Sequence, residues 1–270
     1  MHGLRGWIRT PKGLFAVMLL ACTAVALPSV GWRVGLPGLV AAIAAAMSLD
    51  APLLRWRRGA WHFPDGALLT GWLVALLLSP YESWWIAAAT AAIGIVAKHA
   101  LHAGRANVLN PAAAALIVSY HAFDTGQSWW GALPDVSPWW MLLLVALGAI
   151  MALRLHKATA VLVFLGTWFA CATTAAFVAD PVLVVELFRE PDLQAALFFA
   201  AFMLTDPPTS PPKQNDQIVF GIIVAGVAFA VFVFIGAAYF LLAGLVAGNL
   251  WEGRRKRQRR RARALGIQQG

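Results

Sequence analysis

The stretch DQIVFGIIVAGVAFAVFVFIGAAYFLLAGLVAGNLW, residues 216–251, contains no charged side chain after its first residue. A helix needs about 20 apolar residues to cross the hydrocarbon core of a bilayer, which is about 30 Å thick. Strands of a membrane barrel would alternate polar and apolar residues, and this stretch does not. It therefore predicts two membrane helices, one on either side of Gly236.

The rest of the chain has the same character, since 60% of its 270 residues are hydrophobic and 12% are charged. This composition predicts an all-α integral membrane protein with little chain left for a soluble domain. We expect a single transmembrane domain over residues 1–253 and a basic cytoplasmic tail over residues 254–270. Apolar runs predict about ten transmembrane helices, near residues 13–31, 35–53, 66–80, 83–98, 109–123, 138–154, 158–178, 193–206, 216–235 and 237–251.

Two five-helix halves are visible, at residues 13–123 and 138–251. The third run ends at Leu77-Leu78-Ser79-Pro80 and the eighth at Leu204-Thr205-Asp206-Pro207, each followed by a turn. Because five is odd, the halves would have inverted topology, and such repeats often build a site from interrupted helices. The third, fifth and eighth runs are among the shortest, so we expect re-entrant or broken helices there.

The distribution of charge predicts that both termini are cytoplasmic. Loops on that side would hold 19 of the 21 Lys and Arg residues, eight of them between Arg254 and Arg263. This pattern favours attraction to the lipid bilayer and predicts no nucleic-acid partner, although an RNA- or partner-binding tail is the alternative. Six tryptophans would form an external aromatic belt: Trp84, Trp85, Trp129, Trp130, Trp139 and Trp140.

The first apolar run follows Arg5, Arg9 and Lys12 and contains Ala24-Val25-Ala26, so a cleaved signal peptide is an alternative to a first helix. We expect the run to be retained, because ten spans divide into two fives.

Two segments are too polar and too rich in proline for lipid-facing packing. The first motif is KHALHAGRANVLNP, from Lys98 to Pro111. Asn110 is placed to cap a helix that begins at Pro111. The alternative is that Asn107 and Asn110 present amide groups to a ring with polar edges, as flavin recognition requires.

The second motif is TDPPTSPPKQND, from Thr205 to Asp216. Asp206 is a candidate partner of Lys98, of Arg105 or of a cation, or else lies solvated at the interface. A simpler role is predicted for Thr205, Thr209 and Ser210. Their hydroxyl groups would form hydrogen bonds with the backbone where the prolines interrupt its regular hydrogen bonding. The histidines form no facing pair for haem, Cys22 and Cys171 lie in apolar runs, and no metal site is predicted.

Three stretches together resemble the NqrB/RnfD family, the membrane subunits of sodium-translocating NADH:quinone reductase and of the Rnf complex. They are DGALLTGWLVALLLSP (65–80), AKHALHAGRANVLNPAAAAL (97–116) and AAFMLTDPPTSPPKQNDQIVFGIIV (200–224). The resemblance implies a urea-transporter-like fold of two inverted five-helix repeats that holds a flavin, either riboflavin or FMN. The candidate flavin-binding residues are then Thr70, Gly71, Asn107, Asn110, Pro111, Thr205, Asp206 and Thr209.

A second flavin in this family is esterified to the threonine of an external Ser-Gly-Ala-Thr motif. This chain has only Asp124-Thr125-Gly126-Gln127-Ser128 in the corresponding loop. We therefore expect non-covalent flavin, with Ser128, and otherwise Thr125, as the candidate for covalent attachment.

The resemblance implies a subunit of an ion-translocating membrane oxidoreductase in a bacterial inner membrane. It would pass electrons between a cytoplasmic donor and a membrane or external acceptor, together with other membrane or soluble electron-transfer subunits. The alternatives are a non-redox channel or carrier for a small solute on the same fold, and a membrane anchor for a soluble partner.

Overall fold

The computed structural model describes residues 10–103, 106–178 and 192–264, with the single residues 6, 185 and 188. A two-stranded antiparallel hairpin, β1 (His102–Ala103) and β2 (Ala106–Asn107), separates the fourth and fifth helices. Short 3-10 turns occur at Trp130–Ala132 and Pro138–Trp140. The described residues form ten helices: α1 (Pro11–Val30), α2 (Trp32–Arg58), α3 (Asp65–Leu77), α4 (Trp84–Ala100), α5 (Pro111–Phe123), α6 (Met141–Arg154), α7 (Ala158–Val178), α8 (Asp192–Phe198, extended by a π-helical turn at Phe199–Met203), α9 (Gln214–Ile235) and α10 (Phe240–Ala264).

Among the described residues, four helices are long and apolar enough to cross a membrane: Pro11–Val30, Trp32–Arg57, Ala158–Val178 and Gln214–Ile235. Large apolar side chains along them face outward; Leu162 on α7 is 69% exposed and Phe234 on α9 is 85% exposed. Lipid is the solvent in which such surfaces are stable. The described residues are thus those of a predominantly helical integral membrane protein, and ten crossings remain a prediction.

The helices expected to be broken are short. Helices α3 and α5 have 13 residues each, about 20 Å of helix, which is less than the thickness of the hydrocarbon core. The end of α3 is closed by the chain that follows α5, since the backbone N–H groups of Ser128 and Trp129 donate to Leu77 O at 3.1 and 3.2 Å. This loop supplies donors to a carbonyl group at the point where the helix stops.

Two of the six belt tryptophans were wrongly predicted. Trp129 and Trp130 are 6% and 2% exposed, and Trp130 Nε1 donates to Ala75 O of α3 at 2.7 Å. They are buried because they fill and cap the broken end of α3. The other four are exposed to different degrees, from Trp140 at 44% to Trp139 at 79%.

Three helix contacts of the first half have counterparts in the second half. In the first half α2 packs on α4, α4 on α5 and α1 on α3; in the second half α7 packs on α9, α9 on α10 and α6 on α8 with its π turn. Helices α5 and α10 contact each other and join the halves. Close crossings use glycine: a Cβ on Gly71 of α3 would lie 2.6 Å from Ala42 O of α2.

Candidate functional site

The first motif builds the start of α5. The side chain of Asn110 accepts hydrogen bonds from Ala112 N at 3.1 Å and Ala113 N at 3.2 Å, and Pro111 occupies the first helical position. Both residues are buried. The predicted cap is confirmed.

Asn107 lies on the hairpin just before this cap. It pairs with His102 across the hairpin, and Val108 N donates to Leu101 O at 3.0 Å. Asn107 is half-buried, unlike the buried Asn110. Of the two asparagines, Asn107 is the one whose side chain is partly accessible, and the hairpin fixes its backbone.

The second motif forms a loop between the π-helical turn and α9, and its hydroxyl groups bond locally. Thr205 Oγ1 donates to Ala201 O at 2.7 Å, Thr209 Oγ1 to Asp206 Oδ2 at 2.9 Å, and Ser210 Oγ to Asp206 O at 2.8 Å. The simpler prediction is confirmed for Thr205 and Ser210, which bond backbone carbonyl groups. The shorter bond of Thr209 goes to the Asp206 side chain, and its bond to Asp206 O is 3.5 Å long. These are local bonds in a segment in which proline has removed several backbone donors.

Side chains from three other parts of the chain cover the carbonyl groups of this loop. Lysine and amide groups are the donors, and five successive residues accept. The bonds are Lys256 Nζ to Pro208 O (3.0 Å), Asn249 Nδ2 to Thr209 O (3.3 Å), Lys157 Nζ to Ser210 O (3.4 Å) and Pro211 O (2.5 Å), and Gln217 Nε2 to Pro212 O (3.4 Å). Three of the accepting residues, Thr209, Ser210 and Pro211, are buried. Because buried carbonyl groups need donors, the conformation of this part of the loop depends on the surrounding helices.

Asn249 of α10 joins the two motifs. It is completely buried, its Oδ1 accepts from Asn110 N at 2.8 Å, and its Nδ2 donates to Thr209 O. We call the contact of Asn110, Thr209 and Asn249 the motif junction. Asn249 was missed by sequence reasoning, and an amide inside the apolar run of residues 216–251 was the available signal.

Ionisable side chains from several elements lie around the junction. Burial, and then the charge of Lys256, lower the pKa of Lys157 from 10.5 to about 8, while Glu252 and Asp206 oppose that shift. Burial raises the pKa of Asp206 from 3.8 to about 6, against the Thr209 hydroxyl group and the nearby lysines. Each pKa shift reflects a charge held away from water and only partly balanced by its neighbours.

Glu252 of α10 is the least satisfied of these groups. It is 1% exposed, and neither carboxylate oxygen has a hydrogen-bond donor in the part of the chain that the structure describes. Lys256 Nζ is 3.6 Å from Oε1, within ion-pair range but beyond a hydrogen bond. One helical turn separates Glu252 from Asn249, and a Cβ on the adjacent Gly253 would meet Val108 at 3.0 Å. Two acceptor atoms without a donor among the described residues therefore lie on α10, one turn from Asn249.

The basic extension of α10 is tied back to α9. Arg255 and Arg259 bind the two oxygens of Asp216 at 2.6 and 2.7 Å, whereas Arg254 and Arg257 are exposed. Residues 255–259 of the predicted tail are thus part of the helical structure.

Lys98 does not pair with Asp206, so that expectation was wrong. Both oxygens of Asp50 bind Lys98 Nζ at 2.9 Å, and Asp50 Oδ1 also lies 2.7 Å from His99 Nε2. Asp50 is completely buried on α2. Because α2 packs directly on α4, the helix that carries Lys98, Asp50 lies within bonding distance of Lys98. Arg105, the other named partner of Asp206, lies outside the described residues.

Thr70 and Gly71 lie in the core of α3. Thr70 Oγ1 donates to Gly66 O within the helix, and its methyl group approaches Gly94 beside Pro111 O. Gly71 faces the backbone of α2. Thr70 is therefore near the start of α5, and Gly71 lies at a helix crossing.

The two hydroxyl candidates for covalent attachment differ in access. Thr125 is 1% exposed and shares a 3.2 Å hydrogen bond with Ser119, which in turn bonds Thr90. Ser128 is exposed. Of the two, only the Ser128 side chain reaches the surface.

Comparisons with known proteins agree with the resemblance. The NQR2, RnfD, RnfE family matches residues 9–138, which include the first motif but not the second. The ion-translocating oxidoreductase complex of Stutzerimonas stutzeri has a D component that is 34% identical over 160 residues, covering 53% of this chain and 45% of that protein. The component of the same name in Rhodobacter capsulatus is 40% identical over 68 residues, covering 24% and 19%. The chain spans less than half the length of these curated relatives, and the predicted resemblance to the NqrB/RnfD family is confirmed.

Proposed function

We propose, from this family resemblance, that the chain is a flavin-binding membrane subunit of an ion-translocating electron-transport complex. The motif junction carries the proposal, because it brings two motifs from opposite halves of the chain into contact in a buried, polar and charged setting. A single subunit with one flavin cannot span about 30 Å of lipid, so further electron-transfer subunits are part of the proposal.

The proposed topology is ten crossings in two inverted repeats of five helices, in a bacterial inner membrane, with both termini in the cytoplasm. The three helix contacts that recur in the two halves support it, as do the short third, fifth and eighth helices. In this orientation the motif junction lies on the cytoplasmic side, where a soluble electron donor would have access.

The flavin would lie beside the motif junction, between Asn107 and Glu252. A flavin carries a ring N–H group and a hydroxyl-bearing chain, and Glu252 offers two buried acceptor atoms without donors among the described residues. Asn107 would bond the ring edge, while Asn110, Asn249 and Thr209 would hold the surrounding backbone. When bound, the flavin supplies the redox chemistry, and the protein supplies position and charge.

Replacing Asn107 with leucine is expected to lower the flavin content about fivefold, since a lost hydrogen bond weakens binding by about 1 kcal/mol. The ratio of flavin to protein absorbance in gently purified protein measures the effect. Asn215→Leu, at an exposed position in the first turn of α9, is the matched control. Equal flavin content in the two variants would remove Asn107 from the site. A wild-type protein purified with its partners and lacking any flavin band would favour the solute channel.

Acid precipitation separates covalent from non-covalent flavin. We expect fluorescence to leave the precipitate, because the Ser-Gly-Ala-Thr motif is absent. Fluorescence that stays with the protein and disappears in Ser128→Ala, but not in Thr125→Ala, would contradict this expectation and identify the exposed hydroxyl as the attachment point.

A further inference from the structure

An apolar groove lies on the outer surface of the helix bundle, where the first turns of α2 pass the start of α4. Its volume is about 510 Å³, within the range of roughly 300–1,000 Å³ that is usual for small-molecule sites. The helices are close beneath it, since a Cβ on Gly38 of α2 would lie 3.7 Å from the Cβ of Ala87 on α4. Five residues line the groove: Leu36, Pro37, Val40, Ala41 and Trp84.

A positive charge lies at one end of the groove. Arg33 is four residues before Pro37 and therefore on the same face of α2, and helical side chains lean towards the start of their helix. Its side chain is exposed, and its guanidinium carbon is 5.3 Å from the centre of the Trp32 ring. No carboxylate lies within ion-pair distance of Arg33 in the part of the chain that the structure describes. Arg33 is thus available to an anionic group from outside the chain.

The surrounding residues fix the depth of the groove in the bilayer. Trp32 and Trp84 are 62% and 63% exposed, and tryptophan is enriched where lipid headgroups meet the hydrocarbon core. Arg33 is at the same level as these rings, whereas Val40 is two turns further along α2. The site therefore has a cation at headgroup depth and an apolar trough below it.

We propose that Arg33 and this groove bind one phospholipid, with the phosphate on the guanidinium and an acyl chain along the groove. Guanidinium donors match phosphate oxygens in pairs, and a hydrocarbon chain needs no polar partner in the trough. An anionic headgroup such as phosphatidylglycerol binds better than phosphatidylcholine, whose own quaternary ammonium offsets the phosphate charge. In the proposed topology this lipid belongs to the external leaflet.

An acyl chain fits the groove better than a membrane helix of another subunit. Helix contacts within a bilayer favour small residues, which let two backbones approach closely. Here Val40 and Trp84 are bulky and project outward, and Arg33 would need a carboxylate from the second helix. A flexible chain follows such a surface without these requirements.

Native mass spectrometry of the full-length protein, delipidated and then given either phospholipid at equal concentration, tests the proposal. Wild type should retain phosphatidylglycerol more strongly than phosphatidylcholine. Arg33→Gln should weaken phosphatidylglycerol binding about fivefold, the usual contribution of one basic residue at a membrane surface, and Arg33→Lys should keep most of it. Lipid held by the basic end of α10 is common to all variants, so the differences between them belong to the groove.

Filling the groove tests the acyl-chain contact separately. Val40→Trp should weaken the binding of both lipids, whereas Leu162→Trp, at an exposed position on α7, should change neither. Wild-type binding in Arg33→Gln or in Val40→Trp would overturn the proposal. Flavin content does not enter this measurement, because the groove lies at the start of α4 and the hairpin with Asn107 follows its end.

A photo-crosslinking amino acid in place of Val40 identifies the occupant in native membranes. The expected product is this chain carrying the mass of one phospholipid. A product joined to a second polypeptide would overturn the proposal and make the groove a subunit interface.

Discussion

Replacing Lys157 with methionine is expected to lower the free energy of unfolding by about 2–3 kcal/mol, the usual cost of losing hydrogen bonds to a charged group. Lys157 is 4% exposed, and its ammonium group donates to Ser210 O and Pro211 O. Methionine keeps most of the volume but leaves both carbonyl groups without this donor, and it removes a positive charge that favours ionised Asp206. Denaturant titration in detergent micelles measures the difference.

The matched control is Lys213→Met, which removes an exposed lysine close to the same loop. It should change the free energy of unfolding by no more than about 0.5 kcal/mol. If the two variants have equal stability, Lys157 does not hold the loop.

The Lys157 variant should also change the dependence of stability on pH. The pKa of Lys157 is lowered from 10.5 to about 8, so between these values the unfolded chain binds a proton that the folded chain has released. Stability from this group therefore rises with pH from about 8 to 10.5 and is lost as pH falls through 8. Lys157→Met should lack this rise.

Asp206 acts in the other direction at lower pH: with its pKa raised to about 6, it favours the folded state below pH 3.8 and loses that contribution as pH rises through 6.

Replacing Asn249 with leucine is expected to destabilise the protein by about 2–4 kcal/mol, because two buried backbone groups lose their partners at about 1–3 kcal/mol each. The groups are Asn110 N–H and Thr209 C=O, one from each motif. Asn249→Asp keeps an acceptor oxygen for Asn110 N–H and loses the N–H donor to Thr209 O. Its free energy of unfolding should therefore lie between those of the wild type and of Asn249→Leu. The comparison is made at a pH at which residue 249 carries the same charge in the folded and the unfolded protein.

Hydrogen exchange gives a sharper measure of the motif junction. In Asn249→Leu the amide of Asn110 should exchange faster, while amides in the centre of α7, far from the junction, should keep their protection. Asn215→Leu again serves as the control, since Asn215 is exposed. If Asn110 stays protected in Asn249→Leu, the first motif is held by α5 alone.

Local patterns predicted the parts of the site that depend on neighbours in the chain. An asparagine before a proline predicted the cap of α5, and the structure has it. Hydroxyl residues among prolines predicted local backbone bonds, which Thr205 and Ser210 make, whereas the shorter bond of Thr209 goes to the Asp206 carboxylate. Both predictions succeeded because donor and acceptor lie within about one helical turn.

Long-range partners were not predictable in the same way. Lys98 was a candidate partner for Asp206, yet it binds Asp50, 48 positions earlier in the chain. Trp129 and Trp130 fitted an aromatic belt by composition, but they are buried because α3 stops early and leaves space at its end. In each case the outcome depended on which helix lies alongside.

The sequence by itself determined that this is a helical membrane protein, where its helices lie, and which family it resembles, because hydrophobicity and motifs are properties of consecutive residues. Only the tertiary structure decided that Asn110 and Asn249, 139 positions apart, share a hydrogen bond, and that Glu252 and His99 keep atoms without a partner among the described residues. Such contacts depend on helix crossings over distances of a few ångströms. No local pattern of residue types carries that information.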